Sequence, residues 1–572
     1  MVSRQSTRSR TADERRAASD KDTGEPNLAA SETMYVQLDT VGYRRKRNVL
    51  SRLWAFLRPY AWLGIVGIWL AITGYFIAAL VLQRKTQLSD ILPLIFLYVL
   101  ITAKLLFSLV STRYITEPLA MAIDPAMVLW LRIPRIHRYL FGVVVLLAIM
   151  LSVSLSLPDS KSGTRIERMQ SLLGVAIIVL GLVVTSKHPR HIQWRVVIVG
   201  TLMQFSLGCI VVKTQWGSDL FTWLADMARS LLDFSRYGTE FLFGDDILSS
   251  NVSFVLSVFP AVIFFASLVQ MVSYFGGMQW LLRNLGRVFQ KLLDTSGTES
   301  VVAAGSPFLG QVENALLVKD YLEYMTKSEI HACMTAGFAT VSGSVFQGYI
   351  ALGVDPKSII TACIMSIPCS LALSKIRYPE TEESLTRGRI AEPPRQPKEV
   401  NFLHAIGNGA ATGVNLCLLM TGSLLAIISM VHLADFFLTW FGEFISISGL
   451  TLELILGYVL YPYAWLLGVP KENVYDVSQL LGLKFISNEF VAYQRLNDSS
   501  DGPSLRSLLT DRGRTIADFA LCGFGNLNGI ALQVGSLGAL APSRKGDFSR
   551  LALSACITGS IATTVTAAII SM

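Results

Sequence analysis

The chain has 572 residues, 52% hydrophobic and only 16% charged, where soluble proteins run nearer a quarter charged, so a soluble globular protein is excluded and a polytopic membrane protein indicated. The formal net charge is +8, but the basic residues gather at the ends of apolar runs, which excludes a nucleic-acid-binding face. The seven cysteines lie within or beside apolar segments with no metal-ligand spacing and read as small buried hydrophobes, not as a disulfide framework.

The first 50 residues are polar, rich in Ser, Arg and Asp, and lack the apolar core of a signal peptide. Residues 1–58 therefore read as a disordered cytoplasmic tail. Apolar runs of spanning length follow near 61–82, 91–110, 139–157, 170–186, 195–212, 252–272, 328–353, 358–376, 413–433, 514–540 and 549–571, making eleven crossings. Shorter or amphipathic pieces at 216–234, 279–293, 299–319, 450–468 and 477–495 are candidates for interfacial helices or re-entrant hairpins.

Basic residues set the orientation. They fall before the first span (Arg44, Arg45, Lys46, Arg47), between the second and third (Arg113, Arg132, Arg135, Arg138) and between the fourth and fifth (Lys187, Arg190, Arg195). Others follow the sixth (Arg283, Arg287) and eighth (Lys375, Arg377, Arg387, Arg389) or precede the last (Arg544, Lys545, Arg550). All fall on one side if the N-terminus is cytoplasmic, and eleven crossings then put the C-terminus outside. Asn251 begins an Asn-Val-Ser sequon in a loop on the outer side. The expected division is three N-terminal helices over 59–168, a first core part over 169–376, a cytoplasmic linker over 377–400 and a second core part over 401–572.

The stretch from Gly305 to Val345 departs from simple spans. Gly305, Pro307 and Gly310 break a short apolar piece, Gln311 and Glu313 follow, and Thr340, Ser342 and Ser344 then stud an apolar run. In lipid, irregular backbone and polar side chains survive only against protein or a wet cavity. A weak repeat lies beyond the linker: a second broken piece carries Asn488 and Glu489, and a glycine-rich run with Asn526 and Asn528 follows. By the crossing count the first hairpin opens to the cytoplasm and the second to the outside, an inverted repeat with a site expected near the midplane.

Two membrane-depth carboxylates cost about 2.5–3.5 kcal/mol each on insertion scales. Three readings compete: acid–base catalysis, a proton or cation path, and a polar small-molecule site. No Ser/His pair, metal cluster or phosphate loop accompanies the carboxylates, and the six histidines form no motif. The supply of carboxylates and amides suits a neutral, hydroxyl-rich solute; a phosphate-bearing one would want cations, and only Lys484 is close.

From about Leu172 onward the chain resembles the concentrative nucleoside transporters, ion-coupled importers of nucleosides. The resemblance rests on SKHP at 186–189, Gly310-Gln311-x-Glu313, YPETEES at 378–384, GxKxxxNEFVAY from Gly482 to Tyr493, CGFGN from Cys522 and LGALAPSRK ending at Lys545. It implies an all-α fold of about 11 transmembrane helices with two opposed re-entrant hairpins, assembled as a homotrimer whose transport domains move like elevators in the plasma membrane. It implies nucleobase contacts from Gln311 and Glu313 with Val345 nearby, ribose contacts from Glu489 and Asn526, and an aromatic wall at Phe524. Asn528 is a further candidate contact. Sodium, the implied co-transported ion, would take Ser306 and Thr340 side chains with carbonyls of Leu309, Thr340 and Val341. Gly310 and the small pair Ser344–Val345 imply that both purine and pyrimidine nucleosides are accepted.

Three departures stand out. Ser306 replaces the family's Asn at the sodium site and loses an amide oxygen of the kind hard cations favour. Val312 replaces a hydroxyl residue, and Gly529 stands where a ribose-contacting Ser is usual. The expectation is ion-coupled concentrative nucleoside uptake with no resident cofactor and no enzymatic activity. Sodium is the leading ion, protons are the alternative, and a sensor or channel without coupling is a different class.

Overall fold

The computed structural model describes residues 61–82, 134–156, 158–159, 163–244, 254–387, 399–447, 449–499 and 502–572, with short pieces inside 94–102. The tail over 1–58, most of the second sequence run (91–110), Asn251 and residues 388–398 of the linker lie outside the described residues. The chain divides into two units, Met1–Leu119 and Ala120–Met572. In the first, helix α1 (Ala61–Leu82) stacks Phe76 on Tyr98 with ring centroids 4.2 Å apart, and the Trp69 indole donates to Thr102 Oγ1 at 3.3 Å.

The second unit opens with α2 (Arg135–Ser156), α3 (Arg165–Val184) and α4 (Trp194–Lys213). Thr164 and Glu167 form a reciprocal cap at the start of α3, satisfying N–H groups that a helix end leaves open. Helices α5 (Gln215–Asp233) and α6 (Ser235–Phe243) lead to α7 (Phe254–Tyr274), which is bent by 83° from the amphipathic α8 (Gly277–Leu293). The first hairpin is α9 (Gly297–Gly305), a turn, and α10 (Gln311–Leu316). Next come α11 (Lys327–Ala339), α12 (Phe346–Ala351) and α13 (Pro356–Arg377). The 43-residue α14 (Phe402–Phe444) is followed by α15 (Leu452–Leu466). The second hairpin is α16 (Val474–Ile486) and α17 (Glu489–Asn497). The short α18 (Leu505–Leu508), then α19 (Asp511–Leu521), α20 (Leu527–Leu540) and α21 (Lys545–Ile570) complete the chain.

Among the described residues six helices (α2, α3, α4, α13, α14 and α21) are long and apolar enough to cross a membrane, or seven if α7 and α8 form one bent span. The protein is thus all-α and multi-pass. Two runs that read as continuous spans are broken. Run 328–353 stops at Ala339, continues through extended Thr340 and Ser342, and resumes as helix at Phe346. Run 514–540 stops at Leu521 and resumes at Leu527, and Gly523 in the gap has φ +135°, which L side chains rarely adopt. Hydropathy averages over such breaks.

Burial separates two kinds of helix. Helices α13 and α21 are mostly buried, whereas α14 is almost wholly exposed and apolar. Its contact with α7 is close: a Cβ at Gly409 would lie 2.5 Å from Ser267 Cα, and one at Gly413 2.7 Å from Ile263 Cα. Small residues four apart let two backbones approach in this way. At the other end of the first hairpin, Lys375 (2% exposed) pairs with Glu299 and, at 3.5 Å, with Glu380. Glu329 accepts from Thr298, Ser384 and Thr386, so the strap that follows α13 clasps the starts of α9 and α11. Lys187 donates to the Tyr378 hydroxyl at 2.7 Å, joining the SKHP and YPETEES motifs in one clasp.

Candidate functional site

Glu489 opens α17, where Asn488 accepts from the Val491 N–H at 3.0 Å and fixes the helix start. The Glu489 carboxylate is 2% exposed. Its Oε2 accepts from Asn526 Nδ2 at 2.8 Å, and its Oε1 accepts from the Tyr349 hydroxyl at 3.1 Å. Asn526 is itself the cap of α20, its Oδ1 accepting from the Gly529 N–H at 2.6 Å. One amide therefore closes the helix break with its oxygen and grips the carboxylate with its nitrogen. Tyr349 is fully buried, its ring 4.8 Å from Phe490 and 5.2 Å from Tyr493.

Lys484 answers the question of the nearby cation. It is 3% exposed and donates to the Ala520 carbonyl at 2.8 Å and to Thr563 Oγ1 at 3.2 Å. It thus ties the first arm of hairpin two to the end of α19 and to α21. Tyr493 adds a bond from its hydroxyl to the Asp518 carbonyl at 2.7 Å. The GxKxxxNEFVAY string accordingly holds one buried carboxylate, Glu489, inside a frame to which Lys484, Asn488 and Tyr493 contribute.

A second polar group lies farther along α20. Gln311, at the start of α10, and Gln533 each bury an amide oxygen that makes no hydrogen bond. Both converge over Gly337 of α11: a Cβ there would lie 3.0 Å from Gln533 Nε2 and 3.2 Å from Gln311 Cβ. Buried acceptors left open cost about 1–3 kcal/mol each and mark places where a ligand donor fits.

A third group forms where the hairpin-one turn meets the α11 break. Thr340 Oγ1 donates to the Ala336 carbonyl at 3.0 Å and reaches the Ser306 carbonyl at 3.2 Å. Ser306 Oγ donates to the Val302 carbonyl at 2.8 Å and accepts from Asn314 Nδ2 at 2.7 Å. Asn314 is 1% exposed, and its Oδ1 makes no hydrogen bond. Leu309 and Val341 are buried beside this turn and break, and the Val341 carbonyl faces the Cys363 thiol at 4.0 Å.

Of the residues picked from sequence, the structure joins Glu489 with Asn526 and Ser306 with Thr340, and it buries Gln311 and Val345. Phe524 and Asn528 stand half-buried at and just after the second break, and Gly310 is half-buried before α10. The side chains of Val312, Glu313 and Ser344 lie outside the described residues. Sequence reasoning misses Tyr349, Gln533 and Asn314: Tyr349 and Gln533 lie in mostly apolar helices, and Asn314 stands beside the more conspicuous Gln311 and Glu313 in α10.

Family models match three consecutive stretches: "Na+ dependent nucleoside transporter N-terminus" at residues 173–246, "Nucleoside recognition" (Gate) at 255–356 and "Na+ dependent nucleoside transporter C-terminus" at 358–571. Solute carrier family 28 member 3 of Eptatretus stoutii is 34% identical over 539 residues, covering 92% of this chain and 75% of that one. Sodium/nucleoside cotransporter 1 of Rattus norvegicus is 36% identical over 417 residues, 71% of this chain and 64% of that one. Among solved structures, CNTnw in an inward-facing substrate-bound state aligns with TM-score 0.65 at 33% identity, covering 70% of this chain and 97% of that one. CNTnw in an outward-facing state aligns with TM-score 0.67 at 34% identity, covering 71% and 98%. With two broken helices, two hairpins and these matches along most of its length, the chain belongs to the Na+ dependent nucleoside transporter family.

Proposed function

We propose that the chain imports nucleosides across the plasma membrane by sodium-coupled alternating access, as a transporter and not an enzyme. The observation that carries this reading is the arrangement along α20. Its cap, Asn526, holds the buried Glu489 carboxylate, and seven residues on, Gln533 meets Gln311 with both amide oxygens open. Seven residues of helix span about 10 Å, the reach of a molecule with a hydroxyl-rich sugar at one end and a heterocycle at the other. Glu489 and Asn526 take ribose hydroxyls, with Phe524 and Asn528 beside them, and Gln311, Glu313 and Val345 take the base. Gly310, Val312 and Ser344 set which bases enter. The relatives named for sodium and nucleosides support the class of cargo.

Sodium takes the Thr340 hydroxyl and the carbonyls of Leu309, Thr340 and Val341, with Ser306. The amide oxygen that Ser306 lacks comes from Asn314, whose open Oδ1 belongs to the side chain bonded to Ser306. The long apolar exposed face of α14 fits burial against a second and third copy in a homotrimer and against lipid. The basic residues support a cytoplasmic N-terminus and an extracellular C-terminus.

Labelled uridine uptake in cells, with sodium replaced by choline at pH 7.5 and 5.5, tests the reading. Uptake against a gradient should vanish in choline at both values, and Asn314→Ala should raise the sodium half-saturation at least threefold. Full uptake in choline at pH 7.5 would overturn sodium coupling. An unchanged half-saturation would remove Asn314 from the ion site.

A further inference from the structure

Four helices begin and two end around one cavity of about 400 Å³: α3, α5, α13 and α19 by their N-terminal turns, α4 and α21 by their last residues. None of its lining residues belongs to the three polar groups described above. Arg168, Lys213, Lys357 and Arg512 line it, against one acidic side chain, Asp355, and the main-chain carboxylate of Met572.

The Asp355 carboxylate is engaged, accepting from the Ser358 N–H at 2.9 Å and Ser358 Oγ at 2.8 Å as the cap of α13. Arg168 has an acid of its own, Asp159 at 3.5 Å. Arg512 is 3% exposed, and its guanidinium donates to the carbonyls of Gly468, Glu167 and Ser571 and to the hydroxyls of Ser171 and Ser571. Every one of these partners is a neutral oxygen. Lys357 Nζ likewise donates to Ser218 Oγ at 2.6 Å. A buried cation without an anionic partner is costly, and the N-terminal ends of four helices outnumber the two C-terminal ends, leaving net positive potential in the same space. Helix N-termini bind anions through open N–H groups.

We propose that this cavity binds a phosphate group. Its size and its four cationic side chains suit a many-oxygen anion better than a halide. Ser218 Oγ, which accepts from Lys357, keeps a proton to donate, whereas Ser358, Thr361 and Thr515 give theirs to Asp355 and to the Lys357 and Asp511 carbonyls. The membrane-crossing helices α3, α4, α13 and α21 all have an end here, which places the cavity at the depth of lipid head groups as well as within reach of free phosphate.

Thermal unfolding of the purified full chain tests the proposal. In detergent, phosphate is titrated against chloride at matched ionic strength; in nanodiscs, phosphatidylglycerol is compared with phosphatidylcholine. The expected result is a saturable rise in Tm of at least 3 °C in one arm or both, lost in the Lys213→Gln/Lys357→Gln double variant, which keeps Arg512 in place and retains uridine uptake. A rise confined to phosphatidylglycerol assigns the site to a head group, and one confined to free phosphate assigns it to a soluble anion. No rise in either arm, an equal rise with chloride, or a rise that the double variant retains overturns the proposal.

Discussion

Glu489 shows how one residue can be legible in sequence for the right reason and still be incompletely understood. A carboxylate at membrane depth stands out because lipid tolerates so few. What sequence does not show is that both its oxygens are already held, by Asn526 and by Tyr349. A hydrogen bond to a charged group contributes about 1.5–3 kcal/mol, so Glu489→Gln should lower uridine uptake at least tenfold with surface expression intact. Tyr349→Phe keeps the ring among Phe490 and Tyr493 and removes only the hydroxyl. It should raise the uridine KM several-fold with little change in thermal stability. Competition between uridine and its 3′-deoxy analogue checks the assignment, because equal potency on the wild type would detach Glu489 from ribose. Tyr349 and Gln533 are not singled out by sequence because a hydroxyl or amide in a mostly apolar helix carries no spacing pattern, and Asn314 because Gln311 and Glu313 stand out beside it. Their partners come from residues 140, 199 and 8 positions away.

At the scale of elements, the hairpins were readable because Gly, Pro and paired polar residues interrupt hydrophobicity within a few positions. The breaks in runs 328–353 and 514–540 were not, since each leaves apolar helix on both sides and a hydropathy window sums across it. The second break also explains Gly529. A Cβ there would lie 2.5 Å from the Phe524 carbonyl oxygen and 3.3 Å from Asn526 Oδ1, inside the turn that Asn526 caps. Serine at this position would push against backbone before its hydroxyl could reach a sugar. Gly529→Ser is therefore expected to lower uridine uptake several-fold, and Gly529→Ala to do the same, because the added Cβ and not the hydroxyl is what the site rejects. Uptake kinetics on the two variants decide the matter: a serine variant that transports better than wild type would mean that the turn yields and the family's ribose contact can be rebuilt.

At the scale of the whole molecule, the exposed α14 and its close partner α7 contrast with the buried α13 and α21. Alternating access by an elevator requires the substrate-bearing elements to slide past a stationary pair, and α7 with α14 is the candidate for that pair. The elements around the first break touch α7 directly: a Cβ at Gly348 of α12 would lie 3.0 and 3.1 Å from the two methyl carbons of Val258. Val258 Cβ is one bond from both methyls, so cysteines at the two positions would face each other at or below the short end of the roughly 3.5–4.5 Å Cβ spacing of a disulfide. The native cysteines are free, and most are buried. Oxidation of the Val258→Cys/Gly348→Cys double variant should thus cut uridine uptake at least tenfold, and a reductant should restore it, while each single variant is insensitive to oxidant. Non-reducing proteolytic mapping confirms that the bond has formed. If the cross-linked protein transports as fast as the reduced one, α12 does not travel along α7, and uptake proceeds by hairpin opening alone, without an elevator.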